Sequence, residues 1–466
     1  MAQSSNKLNS NLQKLLLQFL AISSFPLFLE RLFSAENHIS SQWFHIIAWL
    51  VFADLLIVFL LVFFGKITIP KLIFKILLSI ASIWMVLLLL MSADRLYGRW
   101  NVATSTTNHS IPLYPPNKMV HYQSFEMDFK LQINEYGFRG SNAVQKEKNK
   151  TRIACIGDSF TLGWGIEQEQ SWPFLLQNKM QENAINTEVL NWGKGGHHPV
   201  DYLKVARKMI PQWQPDFLIV ATLQFEDLFQ LALHENLISN KSSQRGGSLL
   251  ERLRYILFPN ITERIEAIPL EENKIDPEWK AQAKRIKQQW PKPAALFFQT
   301  LPDTVQQYFN EGQINPWMMD MNMRFPNWTD SLFRPSFDLE ELATDYKENM
   351  NGIEQLCTEY GVKCIFTTIP FRGTLSSGES EMLKAVGIDF DRDRARDFND
   401  KWNQLIKTKA LTVTENDTCM AVQLKSFNKA LYYNLDGHFT AAGNRAFLEC
   451  FYKHIKESIV SHLEKT

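Results

Sequence analysis

Three long apolar runs near the start constrain this 466-residue chain more than any other feature of its sequence. They cover residues 15–29, 43–64 and 76–93. About 20 apolar residues cross roughly 30 Å of hydrocarbon, so the second run is long enough alone. The third reaches that length when residues 72–74 are added. The sequence therefore predicts a transmembrane anchor of three helices over residues 1–95.

The charges that flank these runs predict how the anchor is oriented. Lysines precede the first run and separate the second from the third, at Lys7, Lys14, Lys66, Lys71 and Lys75. Because cytoplasmic loops are enriched in Lys and Arg, both lysine clusters are expected on the cytoplasmic side, and three crossings then place the rest of the chain outside. The first run is shorter and contains a proline, so a signal-peptide core or an interfacial helix remains an alternative. No small-residue cleavage site follows it, which disfavours a cleavable signal.

Composition excludes two classes of protein. The chain carries 49 basic and 49 acidic residues, whereas a nucleic-acid-binding protein normally shows a basic excess, so no nucleic-acid partner is expected. With 21% charged and 12% aromatic residues, the chain is not largely disordered.

Five cysteines cannot all pair within one chain. An extracytoplasmic domain permits disulfides, and Cys357 and Cys364 are a candidate pair across a helix-to-strand turn. Cys155 resembles a buried strand residue.

Beyond a linker at residues 96–150 that leads into the next domain, predicted strands and helices alternate. The strands fall at residues 153–157, 187–190, 217–223 and 362–369, and the helices at 172–182, 199–209, 339–360 and 441–463. Such alternation predicts an α/β sandwich with a parallel sheet and helices on both faces. Residues 230–337 break the rhythm, and we interpret them as a mostly helical, lid-like insertion in a domain that spans 151–466.

The sharpest local motif is Gly157-Asp158-Ser159, directly after the first predicted strand. The glycine allows the chain to turn, and Ser159 then lies in the first turn of a helix, where free backbone N–H groups favour a developing anion. A serine in that position can attack a carbonyl while its own N–H holds the resulting oxyanion. The tripeptide also fits an ordinary helix cap, which Ser and Asp both favour.

A second motif, Asp436-Gly437-His438, precedes the last predicted helix. A carboxylate close to a histidine can orient the ring and stabilise the imidazolium, which leaves the other ring nitrogen as a general base for a serine. Each motif alone is weak. Together, in the order serine, aspartate, histidine along an α/β chain, they are specific.

These residues resemble the SGNH (GDSL-like) hydrolase family. Gly157-Asp158-Ser159 resembles its first sequence block, residues 191–196 its second and Asp436 with His438 its fifth, while residues 134–139 resemble a run upstream of the first block. The resemblance implies a flavodoxin-like three-layer sandwich with its site at the carboxyl ends of the strands. It also implies Ser159 as nucleophile, His438 as base, Asp436 as its orienting partner and Gly196 N–H as an oxyanion donor, with no cofactor and no metal.

The chain departs from the family at the third block, where an asparagine amide normally serves the oxyanion hole. Here the strand at 217–223 is followed by Gln224, Phe225, Glu226 and Asp227, so Glu226 replaces that asparagine. A carboxylate cannot donate a hydrogen bond unless it is protonated, and losing one oxyanion donor costs about 100–1000-fold in rate. We therefore expect the substitute donor to come from Gln224 or from the lid-like insertion, and we expect Glu226 and Asp227 to lie in the site as well.

The leading hypothesis is a membrane-anchored SGNH-type esterase outside the cytoplasm that cleaves carboxylic esters, such as O-acetyl groups, on a glycan or lipid. One alternative is O-acyl transfer to a cell-surface polysaccharide, with a membrane partner that delivers the acyl group. Another is a catalytically impaired glycan-binding or assembly protein, which Glu226 favours. A metal hydrolase built on His197, His198, Asp227 and His438 lacks a supporting motif such as HExxH.

Overall fold

The computed structural model describes residues 113–140, 150–235, 237–238, 257–258, 278–407, 413–426 and 429–463, with scattered positions between 46 and 96. The chain divides into two compact units, one of residues 1–108 with 244–270 and one of residues 109–243 with 271–466. In the first unit, Ala48, Leu88 and Met91 are buried together.

The predicted anchor falls mostly outside the described residues. The run at 15–29 lies wholly outside them, the run at 43–64 meets them only at 46, 48 and 49, and the run at 76–93 only at 83 and 85–93. Within the part of the chain that the structure describes, no helix is both long enough and apolar enough to cross a membrane.

The second unit is built on a five-stranded sheet and a separate two-stranded hairpin. The strands are β1 (Met119–Gln123), β2 (Asp128–Gln132), β3 (Thr151–Gly157), β4 (Thr187–Gly193), β5 (Phe217–Leu223), β6 (Lys363–Ile369) and β7 (Val413–Thr414). The order in the sheet is β4-β3-β5-β6-β7 and every pair is parallel. This is the flavodoxin-like order, so the predicted α/β architecture with a parallel sheet is confirmed in this unit.

The helices follow the strands along the chain. They are α1 (Ser159–Leu162), α2 (Trp172–Glu182), α3 (Pro199–Trp213), α4 (Glu226–His234), α5 (Trp279–Gln288), α6 (Lys292–Phe298), α7 (Asp303–Asn310), α8 (Pro316–Arg324), α9 (Trp328–Phe333), α10 (Leu339–Tyr360), α11 (Arg372–Leu375), α12 (Ser377–Leu383), α13 (Arg392–Ile406), α14 (Asp417–Ser426) and α15 (Ala441–Leu463). Two 3₁₀ turns, Gln168–Gln170 and Lys384–Val386, also lie in this unit.

The central strands are buried on both faces. Every residue of β3 and β5 is buried, as expected when helices cover both sides of a parallel sheet. Because side chains alternate along a strand, Ala154 and Ile156 pack with α3, α4, α10 and α13, whereas Ile153 and Cys155 pack with α2 and α15. The sheet therefore separates two apolar cores, which gives the three layers.

The hairpin of β1 and β2 lies within residues 96–150, the segment interpreted from the sequence as a linker that leads into the next domain. β1 and β2 pair antiparallel, and the buried side chains of Phe129 and Leu131 alternate with exposed ones on β2. Each strand has five residues, which is too short for the alternation to dominate a sequence pattern beside three nearby prolines. The same segment continues to Arg139, whose side chain is fully buried.

Five helices, α5 to α9, lie in the segment interpreted from the sequence as an insertion. α5 to α9 fill residues 279–333, and Trp290, Phe298 and Phe309 are buried in the core shared with α3 and α10. Trp279 packs elsewhere, in a small cluster with Tyr122 and Phe129 of the hairpin.

Two disulfides lie within this unit. Cys357 is bonded to Cys364, the pairing considered from the sequence, with Cα atoms 6.1 Å apart. Cys419 on α14 is bonded to Cys450 on α15 across 31 residues, a pairing that the sequence did not reveal because it depends on how two helices pack. Cys155 is buried in β3 and unbonded.

Candidate active site

The turn after β3 places Ser159 at the carboxyl edge of the sheet. Asp158 precedes α1 and its carboxylate accepts a hydrogen bond from the N–H of Phe160 at 2.9 Å, which caps the helix. Gly157 is required here, because an added Cβ would lie 2.0 Å from Oγ1 of Thr161 and 2.8 Å from the carbonyl oxygen of Ala221. The turn is therefore fixed between β3 and β5, where the strand order reverses.

Ser159, His438 and Asp436 form one hydrogen-bonded chain. The Oγ of Ser159 lies 2.7 Å from Nε2 of His438, and Nδ1 of His438 contacts a carboxylate oxygen of Asp436. Phe160 packs on the imidazole, with ring centroids 4.8 Å apart. The structure thus brings together the three residues that the two motifs suggested, with the histidine in the orientation that a general base needs.

Two backbone N–H groups are available beside the serine. Among the described residues, neither Ser159 N–H nor Gly196 N–H has an acceptor. Gly196 has a φ of +75°, which favours glycine, and an added Cβ would point into open space. The neighbouring Gly195 is so close that a Cβ built on it would lie 3.8 Å from Cβ of Ser159. This arrangement can hold an oxyanion formed on Ser159.

The Tyr114 hydroxyl supports the same loop, a residue that sequence reasoning missed. Gly195 N–H donates a hydrogen bond to this hydroxyl at 3.0 Å. Burial raises the pKa of Tyr114 to about 12, so the phenol stays neutral. The only sequence signal would have been an aromatic residue in the proline-rich stretch, which does not indicate a contact 81 residues away.

Gln224, predicted as a substitute oxyanion donor, forms hydrogen bonds with two other segments of the chain. Its amide oxygen accepts a hydrogen bond from Phe371 N–H at 2.9 Å, and its amide nitrogen donates to the Asp417 carboxylate at 2.9 Å. The side chain therefore joins the end of β5 to the segment after β6 and to α14. The Asp417 carboxylate therefore engages one of the two N–H groups of the Gln224 amide.

Glu226 faces the catalytic groups without a partner of its own. Its side chain is only partly exposed, and among the described residues its carboxyl forms no hydrogen bond or ion pair. Burial, together with the charges of Asp158 and Asp436, raises the pKa of Glu226 to about 7, and the charge of His438 opposes this shift. Below that pH the carboxyl is neutral and can donate a hydrogen bond.

Asp227, unlike Glu226, has hydrogen-bond partners within the fold. It is fully buried and accepts hydrogen bonds from the Tyr202 hydroxyl at 2.6 Å and from Leu223 N–H at 2.8 Å. Burial, together with the nearby Asp158 and Glu226, holds its pKa well above the usual range. These contacts tie the end of β5 to α3 and α4.

The carboxylates around His438 shift the pKa of its imidazole. Burial acts to lower the pKa of His438, but Asp436, Asp158 and Glu226 together outweigh it and raise the pKa above its ordinary value. Burial also raises the pKa of Asp158, which the charge of His438 opposes. The imidazolium that forms when His438 accepts a proton is therefore electrostatically stabilised.

Arg139 and Asn191 hold the turn that carries Ser159. They lie in residues 134–139 and 191–196, two of the runs that resemble the SGNH family. Arg139 donates from its buried guanidinium to the carbonyl oxygens of Lys130, Leu162, Gly163 and Ile166. Asn191 donates from its amide to the carbonyl oxygens of Thr161 and Leu162, at 2.9 and 3.3 Å. Both side chains satisfy carbonyls that a four-residue helix leaves without donors.

The aromatic residues beside the motif differ in their roles. Trp172 is fully buried against Phe447 and Phe451, so it belongs to the core. Trp164 is partly exposed, stacks with Trp279 and lies 6.4 Å from the His438 ring between centroids. Trp164 therefore lines the site next to the His438 ring.

The two histidines after β4 are largely shielded from solvent, and their pKa values are lowered. Burial lowers the pKa of His197 to about 3 and that of His198 to about 4. His198 precedes α3 and contacts Asp201 at 3.3 Å. In the described ranges, no group of three or more His, Cys, Asp or Glu side chains could hold a metal ion.

No protein-family model matches the chain, and no curated protein matches it. Among solved structures, the crystal structure of TesA is similar at 10% identity and a TM-score of 0.30, over 66% of this chain and 99% of TesA. A GDSL-like lipase from Bacteroides thetaiotaomicron is similar at 9% identity and a TM-score of 0.29, over 68% of this chain and 94% of the lipase.

Proposed function

We propose that this chain is an SGNH-type serine hydrolase that cleaves carboxylic esters, with Ser159, His438 and Asp436 as its catalytic residues. The observation that carries the proposal is the 2.7 Å contact between Oγ of Ser159 and Nε2 of His438, with Asp436 on the other ring nitrogen. Free N–H groups at Ser159 and Gly196 complete the set of groups that acyl transfer requires.

In the proposed reaction, Oγ of Ser159 attacks the ester carbonyl carbon while Nε2 of His438 takes the serine proton. The carbonyl oxygen becomes an anion that the two N–H groups hold. The alcohol then leaves with the proton from His438, and the acyl group remains on Ser159. A water molecule then attacks the acyl carbon and gives a proton to His438; the bond to Oγ of Ser159 breaks, His438 returns the proton to Oγ, and the carboxylic acid is released.

The substrate and location are proposed from the first hundred residues. The three apolar runs and their lysine clusters favour a domain outside the cytoplasm, and the two disulfides suit an oxidising compartment. An ester on a cell-surface glycan or a lipid, such as an O-acetyl group, is then within reach of the site.

Covalent labelling tests the proposal most directly. The full chain in detergent is treated with a fluorophosphonate and assayed with p-nitrophenyl acetate. We expect Ser159→Ala to abolish both labelling and turnover, and the control Ser377→Ala, an exposed serine at the start of α12, to retain both. Equal labelling of Ser159→Ala and the wild type would contradict the role of Ser159, and an unlabelled wild type would favour a non-catalytic glycan-binding protein.

Acyl transfer to a polysaccharide uses the same steps as far as the acyl-enzyme. A glycan hydroxyl then replaces water as the acceptor. The two outcomes differ in the product: free acetate supports hydrolysis, whereas acetyl groups on an added glycan acceptor support transfer.

A further inference from the structure

One short loop, between Tyr432 and Phe439, carries both Asp436 and His438. Tyr432 and Phe439 form an antiparallel bridge at its base, and Tyr433 N–H donates to the carbonyl oxygen of His438 at 2.9 Å. Gly437 N–H closes the tip on the carbonyl oxygen of Tyr433 at 3.2 Å. The position of Asp436 against His438 therefore depends on what holds residues 434–436.

The carboxylate of Glu126, in the turn between β1 and β2, accepts hydrogen bonds from three successive N–H groups of this loop. Oε1 accepts from Asn434 N–H at 2.7 Å and from Leu435 N–H at 3.1 Å. Oε2 accepts from Leu435 N–H at 3.0 Å and from Asp436 N–H at 3.1 Å. Hydrogen bonds to an ionised acceptor are about twice as strong as neutral ones.

Arg372 holds carbonyl groups of the same loop. Its guanidinium donates to the carbonyl oxygens of Tyr433 and Asn434, at 3.0 and 2.8 Å. The side chain is buried and ion-paired with Glu379, so it is itself fixed in place. The loop thus has its N–H groups bound by Glu126 and two of its carbonyl groups bound by Arg372.

We propose that Glu126 is a positioning residue, which holds the segment 434–436 so that the Asp436 carboxylate meets Nδ1 of His438. This inference rests on the proposed function of the same site. Glu126 does not reach the reacting atoms; it acts through the backbone of Asp436. A displacement of about 1 Å at a catalytic group can cost roughly 100-fold in rate, so losing the hydrogen bonds to three successive N–H groups of this loop is expected to reduce the rate.

Three variants of the full chain test the role of Glu126. Glu126→Ala removes all of its hydrogen bonds, and Glu126→Gln keeps a single acceptor oxygen. Asp128→Asn is the control, because this exposed carboxylate of the same hairpin contacts His121 and Gln123 instead of the loop. We expect kcat to fall by about 10- to 100-fold in Glu126→Ala, with KM within twofold. Glu126→Gln should recover part of the loss, and Asp128→Asn should match the wild type.

A pH profile separates positioning from loss of folded protein. If Asp436 no longer meets His438, the pKa read from the acid limb of kcat/KM falls, because Asp436 raises the pKa of His438. Partial unfolding would scale the whole profile without moving that limb. A reduced kcat with an unmoved acid limb, or an unchanged kcat in Glu126→Ala, would overturn the inference.

The inference and the proposed function can fail separately. A wild type that is labelled at Ser159, with Glu126 variants of unchanged rate and profile, removes only the role of Glu126. A wild type that is not labelled at Ser159 removes the proposed function, and the positioning role with it.

Discussion

Arg139 donates a hydrogen bond from its buried guanidinium to the carbonyl oxygen of Ile166, 2.6 Å away. The same guanidinium reaches three other carbonyl oxygens, so one side chain organises the loop that follows Ser159. Burial lowers the pKa of Arg139 to about 10, which still leaves it charged at neutral pH.

Replacing Arg139 should destabilise this unit. A buried carbonyl without a donor costs about 1–3 kcal/mol, so we expect Arg139→Met to reduce the free energy of unfolding by about 3 kcal/mol or more. Denaturant unfolding followed by tryptophan fluorescence measures the change. The control is Arg396→Met, since Arg396 is 68% exposed. Equal unfolding midpoints for the two variants would contradict the assigned role.

Glu226 should make the activity fall at alkaline pH. His438 must be neutral to accept the serine proton, and its raised pKa makes activity increase with pH through the acid range. Burial raises the pKa of Glu226 to about 7, so above that pH the carboxyl is ionised and repels an oxyanion. We expect a bell-shaped profile of kcat/KM for the wild type.

The variant Glu226→Gln tests the alkaline limb, because its amide stays neutral and can donate at any pH. One oxyanion donor contributes about 100–1000-fold where it has been measured, so at pH 8.5 the variant should exceed the wild type by roughly tenfold or more. Its acid limb should also shift to lower pH, because one carboxylate that raises the pKa of His438 is gone. The exposed control Glu381→Gln should keep the wild-type profile, and superimposed profiles for Glu226→Gln and the wild type would rule out the effect.

Gln224 should affect stability more than rate. Gln224→Leu leaves the N–H of Phe371 and the buried carboxyl of Asp417 without their partner, and we expect a loss of about 2 kcal/mol in unfolding free energy. Turnover of the folded protein should stay within a few-fold of the wild type. A 100-fold fall in kcat without a loss of stability would instead support the oxyanion role.

The Tyr114 hydroxyl should have a moderate effect on rate. In Tyr114→Phe the N–H of Gly195 loses its acceptor, and the adjacent Gly196 N–H is held less firmly. A hydrogen bond of about 1 kcal/mol corresponds to roughly fivefold, so we expect kcat to fall by about that factor. Steady-state kinetics on p-nitrophenyl acetate measure it, and a full loss of activity would show that the phenol does more than support the loop.

The sequence predicted the elements whose pattern is local. β5, α2, α10 and α15 match their predicted boundaries, because an unbroken apolar run or a helical repeat ends at a clear signal. Ser159 and His438 were found since each lies in a short motif whose chemistry can be stated before the fold is known.

Contacts between distant segments could not be predicted. The direction of the Gln224 side chain depends on Asp417, which is 193 residues away, and that of Glu126 depends on Asp436, which is 310 residues away. A single carboxylate in a short hairpin carries no periodic signal. Such roles are visible only when the strand order and loop packing are known.

The separation of Ser159 from His438 also sets a time at which the site can first act. The two residues are 279 positions apart. At about 5–20 residues per second, synthesis of the intervening chain takes roughly 15 to 55 seconds. During that interval the serine has no base within its own chain, so in the proposed mechanism a nascent chain cannot attack an ester before His438 has been made.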